Sequence, residues 1–353
     1  MIQGGTLVQV GVIVVSVLGL WIGARLLVDA VIRLARRFGL SELAIGLTVV
    51  AMGTSTPELS VSLDAATNGL GDIAVANVLG SNVYNLAFVL GVVALIRMIP
   101  IAETLVHRDG LALLASTAVG GIALVDLAIS RVEGAVLAGL FVTYTAYLLR
   151  AEGGSTAAGA ETEDEEPEVE PEAGSAPSDV KPGSDPGTFP GDAATTDITG
   201  RVSFRGRDAL VLVGGLALVL VSGDYMVAAA STLARGAGIS EWVIGGTIVA
   251  AGTSTPEFAV SLVALSRGSL GVSVGNVVGS NVFNITGIMG AAALVRPLAV
   301  SANALETLAW LAGVTVLMVA ALWTGRRLSR PEGALFAGSE IGRWVLGLFG
   351  LLG

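Results

Sequence analysis

The chain has no cysteine, one histidine (His107) and one lysine (Lys181), and only 14% of its 353 residues are charged. Without cysteine there is neither a disulfide nor a thiolate metal site. A lone histidine leaves no His/Cys cluster, and no glycine-rich phosphate loop or nucleophile elbow is present, so ATP-driven pumping and hydrolysis have no candidate site. An ordinary soluble domain has roughly a quarter of its residues charged. Here 53% of residues are hydrophobic and the mean hydropathy is +0.79. The apolar residues come in long blocks, and in lipid only a helix of about 20 such residues satisfies its own backbone across the hydrocarbon core. The expected class is an all-α membrane protein, with the first block retained as a helix and not a cleaved signal.

Loops marked by charge, glycine and proline divide the apolar blocks at approximately 6–35, 41–68, 72–97, 107–128 and 132–150, then 207–234, 240–267, 271–295, 303–324 and 333–352. This predicts ten transmembrane helices in two sets of five, residues 1–150 and 204–353. The net charge of −10 belongs to the segment between them, because residues 151–200 hold thirteen acids against Lys181 alone. That segment, 151–203, is rich in Glu, Pro, Gly, Ser and Thr and nearly free of large apolar residues. It reads as a flexible acidic linker, since it lacks both the EF-hand spacing and the strand pattern that a folded calcium-sensing domain would show.

The two sets repeat one another at a constant offset of 199 residues. Gly53-Thr-Ser-Thr-Pro-Glu58 recurs as Gly252-Thr-Ser-Thr-Pro-Glu257, Gly80-Ser-Asn-Val-Tyr-Asn85 as Gly279-Ser-Asn-Val-Phe-Asn284, and Arg131-Val-Glu-Gly134 as Arg330-Pro-Glu-Gly333. Five helices is an odd number, so the second repeat is expected to enter the membrane inverted relative to the first, a recurring construction of transporters. Basic residues collect on one side if both termini face outward, which places the linker in the cytoplasm; the expected location is the plasma membrane.

Glu58 and Glu257 lie within apolar blocks, where carboxylates are expensive and mark ion pathways. Pro57 lacks an N–H and crowds the preceding turn, so a kink with a released Gly53 carbonyl is expected, and Pro256 repeats it. Thr54 and Glu58 are four apart on one helix face, as are Thr253 and Glu257. Ser81 with Asn85, and Ser280 with Asn284, have the same spacing and are read as ligands, although small and amide residues also pack membrane helices. Asn82 and Asn281 fall off that face and read as structural; Asn77 and Asn276 stay open. Arg25 and Asp224, also 199 apart, read as a structural pair or as snorkelling side chains, and His107 as an interfacial residue. Two carboxylates, hydroxyls, amides and carbonyls make an all-oxygen site suited to Ca²⁺, Na⁺ or Mg²⁺. Two adjacent carboxylates do not both stay ionised without counter-ions, so another cation must replace calcium when it leaves.

These paired motifs resemble the calcium/cation antiporter superfamily, specifically the prokaryotic sodium/calcium exchangers, over the whole chain apart from residues 151–203. The resemblance implies a non-enzymatic antiporter without cofactor, exchanging Ca²⁺ for Na⁺ by alternating access, with the first and sixth helices sliding over a rigid core. It implies calcium held by Glu58, Glu257 and the Thr54 and Thr253 carbonyls. Sodium sites would be completed by Ser55, Ser254, Ser81, Ser280 and the Ala51 and Ala250 carbonyls, with Asn85 and Asn284 at the family's polar third- and eighth-helix positions. Well-studied members carry an acid at the second of these, where this chain has the neutral Asn284. Coupling to H⁺ or K⁺ is the alternative, and a calcium channel the rival from another class. The expected partners are the ions and the bilayer, with no nucleic acid, and a monomer contains both halves of the site.

Overall fold

The computed structural model describes residues 5–100, 105–160, 206–237, 250–325 and 327–348. They are mostly helical. Helix α1 is Thr6–Phe38 and α2 is Glu42–Thr54, followed after a break at Ser55 by α3, Thr56–Thr67. Helix α4 is Gly71–Ile96, α5 is Leu111–Ala123 and α6 is Arg131–Ala160. The second half gives α7, Gly206–Gly236; α8, Ala250–Thr253; α9, Thr255–Ser266; α10, Leu270–Val295; α11, Asn303–Gly325; and α12, Arg330–Leu348. Six of these (α1, α4, α6, α7, α10 and α11) contain stretches long and apolar enough to cross a membrane. Residues 151–160 continue α6 as helix past the expected boundary at 150. The rest of the acidic segment, and the start of the block expected at 240, lie outside the described residues.

Local chemistry sets the helix ends. Gly39, at φ 62°, closes α1 in the left-handed conformation that glycine adopts without penalty, with Arg36 and Arg37 in the last turn. The Ser41 hydroxyl accepts from the Ala44 N–H and starts α2. The repeated Arg-x-Glu-Gly motif has three separable jobs. Glu133 accepts from the Ser130 N–H at 2.7 Å while the Glu133 N–H donates to the Ser130 hydroxyl at 3.3 Å, a capping box that begins α6; Glu332 and Ser329 begin α12 through the matching 2.7 Å bond. Arg131 donates to the Val295 carbonyl at the end of α10, and Arg330 to the Ile96 carbonyl at the end of α4. The glycines then bring backbones together. A Cβ on Gly91 would meet the Gly333 carbonyl oxygen at 2.9 Å, and one on Gly134 would meet the Gly290 carbonyl oxygen at 2.9 Å. The repeat interchanges these two crossings, α4 with α12 and α10 with α6.

Each half therefore packs into the other. Helices α1 and α7 run along one another, with the Gly215 backbone against Gly23 and Leu27. Gly275 and Gly279 lie on the backbone of α2 at Leu43 and Leu47. Two-residue antiparallel strands add to the helices that the sequence predicts: β1 (Ile99–Pro100) pairs with β4 (Arg327–Leu328), and β2 (Ala128–Ile129) pairs with β3 (Leu298–Ala299). Arg25 forms no ion pair with Asp224 among the described residues; its guanidinium stacks over Trp21 at 3.9 Å, so an aromatic face replaces the expected carboxylate. His107 packs edge-on against Trp323.

Helix approach through glycine makes the crossings intolerant of volume. Gly91→Ala and Gly290→Ala should each lower the thermal midpoint of the detergent-solubilised protein by roughly 2–6 °C, from about 1–3 kcal/mol of overpacking. Gly139→Ala, at a position on α6 with open space around it, should leave the midpoint unchanged or raise it. Equal midpoints for all three variants would refute the close-crossing account.

Candidate functional site

Four acids are buried in the described residues: Glu58, Asp109, Glu257 and Glu340. Two have a basic partner. Arg108 Nε lies 2.8 Å from Asp109, which also accepts from the Tyr144 hydroxyl at 3.1 Å, and Arg343 meets Glu340 at 2.6 Å. Glu58 and Glu257 have none; serine hydroxyls reach them instead.

The two shortest of these bonds cross between the halves. Ser55 Oγ donates to Glu257 Oε1 at 2.7 Å, and Ser254 Oγ donates to Glu58 Oε1 at 2.9 Å. Ser280 Oγ lies 3.3 Å from Glu257 Oε1, and Ser81 Oγ 3.5 Å from Glu58 Oε1, at the limit of hydrogen-bond range. Each carboxylate thus belongs to one repeat and is held by a serine of the other. The second oxygens, Glu58 Oε2 and Glu257 Oε2, are buried and make no hydrogen bond. Buried anionic oxygens without a donor are costly unless a cation meets them.

The break at Ser55 positions the first carboxylate. Its φ of −81° and ψ of 16° interrupt the helix, and Pro57 falls in the first turn of α3, where a missing N–H costs nothing. This corrects the expectation of a bare Gly53 carbonyl. The Thr56 hydroxyl donates to Gly53 O at 2.7 Å and replaces the N–H that proline lacks. Across the break the Ser55 N–H reaches the Ala51 carbonyl and the Leu59 N–H the Ser55 carbonyl, while no backbone N–H reaches the Thr54 carbonyl among the described residues. The interruption therefore opens Thr54, one residue later than proline sterics alone suggest. The Thr54 hydroxyl donates to Asn276 Oδ1 at 3.0 Å. The Ala51 carbonyl also accepts from Ser280 Oγ at 3.4 Å. Thr253 ends α8 just before the matching break at Ser254, and Ala250 begins α8, where only its backbone is described.

Asn85 and Asn284 are fully buried in π-helical turns, Tyr84–Val89 of α4 and Phe283–Ile288 of α10. Single π-turns inside helices recur at functional sites, and the sequence gives no sign of them. Both amide atoms of Asn85 and the Oδ1 of Asn284 lack hydrogen bonds.

The structure resolves the residues left open. Asn77 Nδ2 donates to the Glu58 carbonyl at 3.1 Å and to Ser62 Oγ at 3.0 Å; Asn276 Nδ2 donates to the Glu257 carbonyl at 3.2 Å and to Ser261 Oγ at 3.3 Å. These asparagines clamp the backbone that carries each carboxylate. Ser62 and Ser261 were missed by motif reading, although they keep the 199-residue offset that could have singled them out. No third carboxylate, histidine or cysteine joins the site among the described residues. Two carboxylates ringed by hydroxyl, amide and carbonyl oxygens can bind a hard cation.

The chain matches the family described as sodium/calcium exchanger protein over residues 8–150 and 208–339. It is similar to CaxA of Alkalimonas amylolytica, 34% identical over 94% of this chain and 95% of that protein. The sodium/calcium exchanger MaX1 of Methanosarcina acetivorans is 28% identical over 89% of this chain and 91% of its own length. A solved structure of the sodium-calcium exchanger NCX_Mj, soaked with Na⁺ and Sr²⁺, superposes with a TM-score of 0.74 at 27% identity, covering 96% of this chain and 98% of that one. With the paired buried carboxylates already in place, these matches show that the chain belongs to the sodium/calcium exchanger family of cation antiporters.

Proposed function

We propose that the protein exchanges Ca²⁺ for Na⁺ across the plasma membrane by alternating access. One observation carries the reading: Glu58 and Glu257 are both fully buried, without a basic partner, each held by a serine of the opposite repeat. Calcium takes the free carboxylate oxygens of both glutamates with the Thr54 and Thr253 carbonyls. Sodium takes Ser55, Ser254, Ser81, Ser280 and the Ala51 and Ala250 carbonyls, and Asn85 and Asn284 add neutral oxygen donors. With no cation, two buried negative charges are too costly to carry through the membrane, so the site changes face only when loaded, and one cation must replace the other.

The interrupted pairs α2/α3 and α8/α9 count as one span each in this reading, which gives ten spans in two inverted five-helix repeats. Both termini face outward and the linker lies in the cytoplasm. The pair α1 and α7 moves over the remaining helices. An apolar cavity of about 740 Å³ supports this, because it lies between Leu20 and Trp21 of α1, Met226 of α7 and Phe258 of α9 and gives the pair room to shift. A monomer holds the complete site.

In proteoliposomes, uptake of Ca²⁺ should require an outward Na⁺ gradient. Equal uptake driven by a proton or potassium gradient in sodium-free buffer would refute the sodium assignment, and uptake with no gradient of any counter-ion would point to a channel. Glu58→Gln and Glu257→Gln keep shape and remove charge, and each should slow exchange by about a hundredfold or more, since breaking a buried charge pairing costs roughly 3–5 kcal/mol. A Gln variant that inserts normally and exchanges at the parent rate would refute the site.

A further inference from the structure

We propose that Asn82 is a positioning residue for the cation site: it turns the Asn284 carboxamide so that its oxygen, not its nitrogen, is the end left to face an ion. The proposal rests on the antiport reading and names a determinant of the same site.

Asn82 is buried on α4, off the face that carries Ser81 and Asn85. One end of its carboxamide lies 3.0 Å from the Asn281 carbonyl of α10. A backbone carbonyl has no hydrogen to give, so that end must be the Nδ2 donor, which fixes the opposite end as Oδ1. Asn82 Oδ1 in turn needs a donor, and the Asn284 side chain supplies it, Nδ2 to Oδ1 at 2.9 Å. Both ends of the Asn284 amide are thereby determined. Its Oδ1 is buried, carries no hydrogen bond, and stands one turn along α10 from Ser280, whose hydroxyl touches Glu257 Oε1. A cation attracts that oxygen and would be repelled by the NH₂ in its place.

The equivalent contact in the other half is not made. Asn281 sits at the position matching Asn82, yet its Nδ2 donates to the Val277 carbonyl of its own helix at 2.7 Å and its Oδ1 is unbonded. Asn85, the mate of Asn284, has neither amide atom engaged. Two amides of closely similar sequence context are thus treated differently, one locked with its oxygen left over and one without a hydrogen bond at either end. Pre-orientation removes the cost of turning the ligand on binding, so Asn82 acts on the ion through Asn284.

The test is Na⁺-gradient-driven Ca²⁺ uptake by the full chain in proteoliposomes, with the KM for each ion measured for Asn82→Leu, Asn281→Leu, Asn284→Leu and the Asn82→Leu/Asn284→Leu double variant. Asn82→Leu should raise the same KM that Asn284→Leu raises, by about fivefold as for one lost hydrogen bond, with a smaller change in kcat. Asn281→Leu, equally buried, should stay within about twofold of the parent, and the double variant should be no worse than Asn284→Leu alone. Equal losses from Asn82→Leu and Asn281→Leu, or additive losses in the double variant, would overturn the proposal. If Asn82→Leu does not insert, Asn82→Ser, too short to bridge both partners, takes its place with the same expectations. A parent protein that shows no sodium-driven uptake fails the antiport reading and not this one. Thermal stabilisation of the same variants by Ca²⁺ alone then reads the coupling, and additive loss there overturns it equally.

Discussion

Burying a carboxylate without a counter-charge is the constraint around which this molecule is arranged. Charge at the centre of a membrane helix costs at least about 2.5–3.5 kcal/mol even on insertion scales, which allow the chain to relax. Asp109 and Glu340 meet the cost with arginines close by in sequence, Arg108 and Arg343. Glu58 and Glu257 do not; they take hydroxyls from Ser254 and Ser55, which stabilise an anion without neutralising it. A fixed arginine would fill the role that a mobile cation has to fill in an antiporter. Serine leaves it open, and the crossed pairing ties each carboxylate to the opposite half.

Such a site works only if the two halves meet closely and in register. Here the apolar face of a helix is no guide, since lipid is as apolar as leucine and association in the membrane depends on close packing. Glycine supplies it at Gly91 with Gly333 and at Gly134 with Gly290, and Gly279 lets α10 lie against the backbone of α2. The Ser–Glu caps that begin α6 and α12 fix where each helix starts relative to those glycines. Helix ends, crossings and serine exchange therefore form one chain of dependence running from Arg-x-Glu-Gly to the carboxylates.

Much of this was legible in the sequence because an internal repeat doubles every signal. A lone Glu58 in an apolar block has bland explanations, whereas Glu257 behind the same Thr-Ser-Thr-Pro removes them. The amides were harder. Asn77 and Asn276 act through the backbone of Glu58 and Glu257, nineteen residues away in each half, a relation that no spacing rule encodes. The π-turns at Asn85 and Asn284 arise from packing and leave no composition mark. The Gly53 carbonyl was misjudged because proline sterics are local and predictable, while the Thr56 hydroxyl that satisfies it is a side-chain choice.

Repetition in sequence also sets a limit that structure alone reveals. Asn82 meets Asn281, 199 residues on, so this contact joins a residue to its own counterpart. The Asn82 Nδ2 bond to the Asn281 carbonyl has no return, because Asn281 turns its own amide to Val277. The carboxylates escape this problem because each pairs with a different residue type, serine, and the two bonds coexist. Charge at the site is thus symmetric and amide orientation is not. Of the two matching amides, Asn284 is tied to Asn82 through its nitrogen, while neither end of Asn85 is hydrogen-bonded.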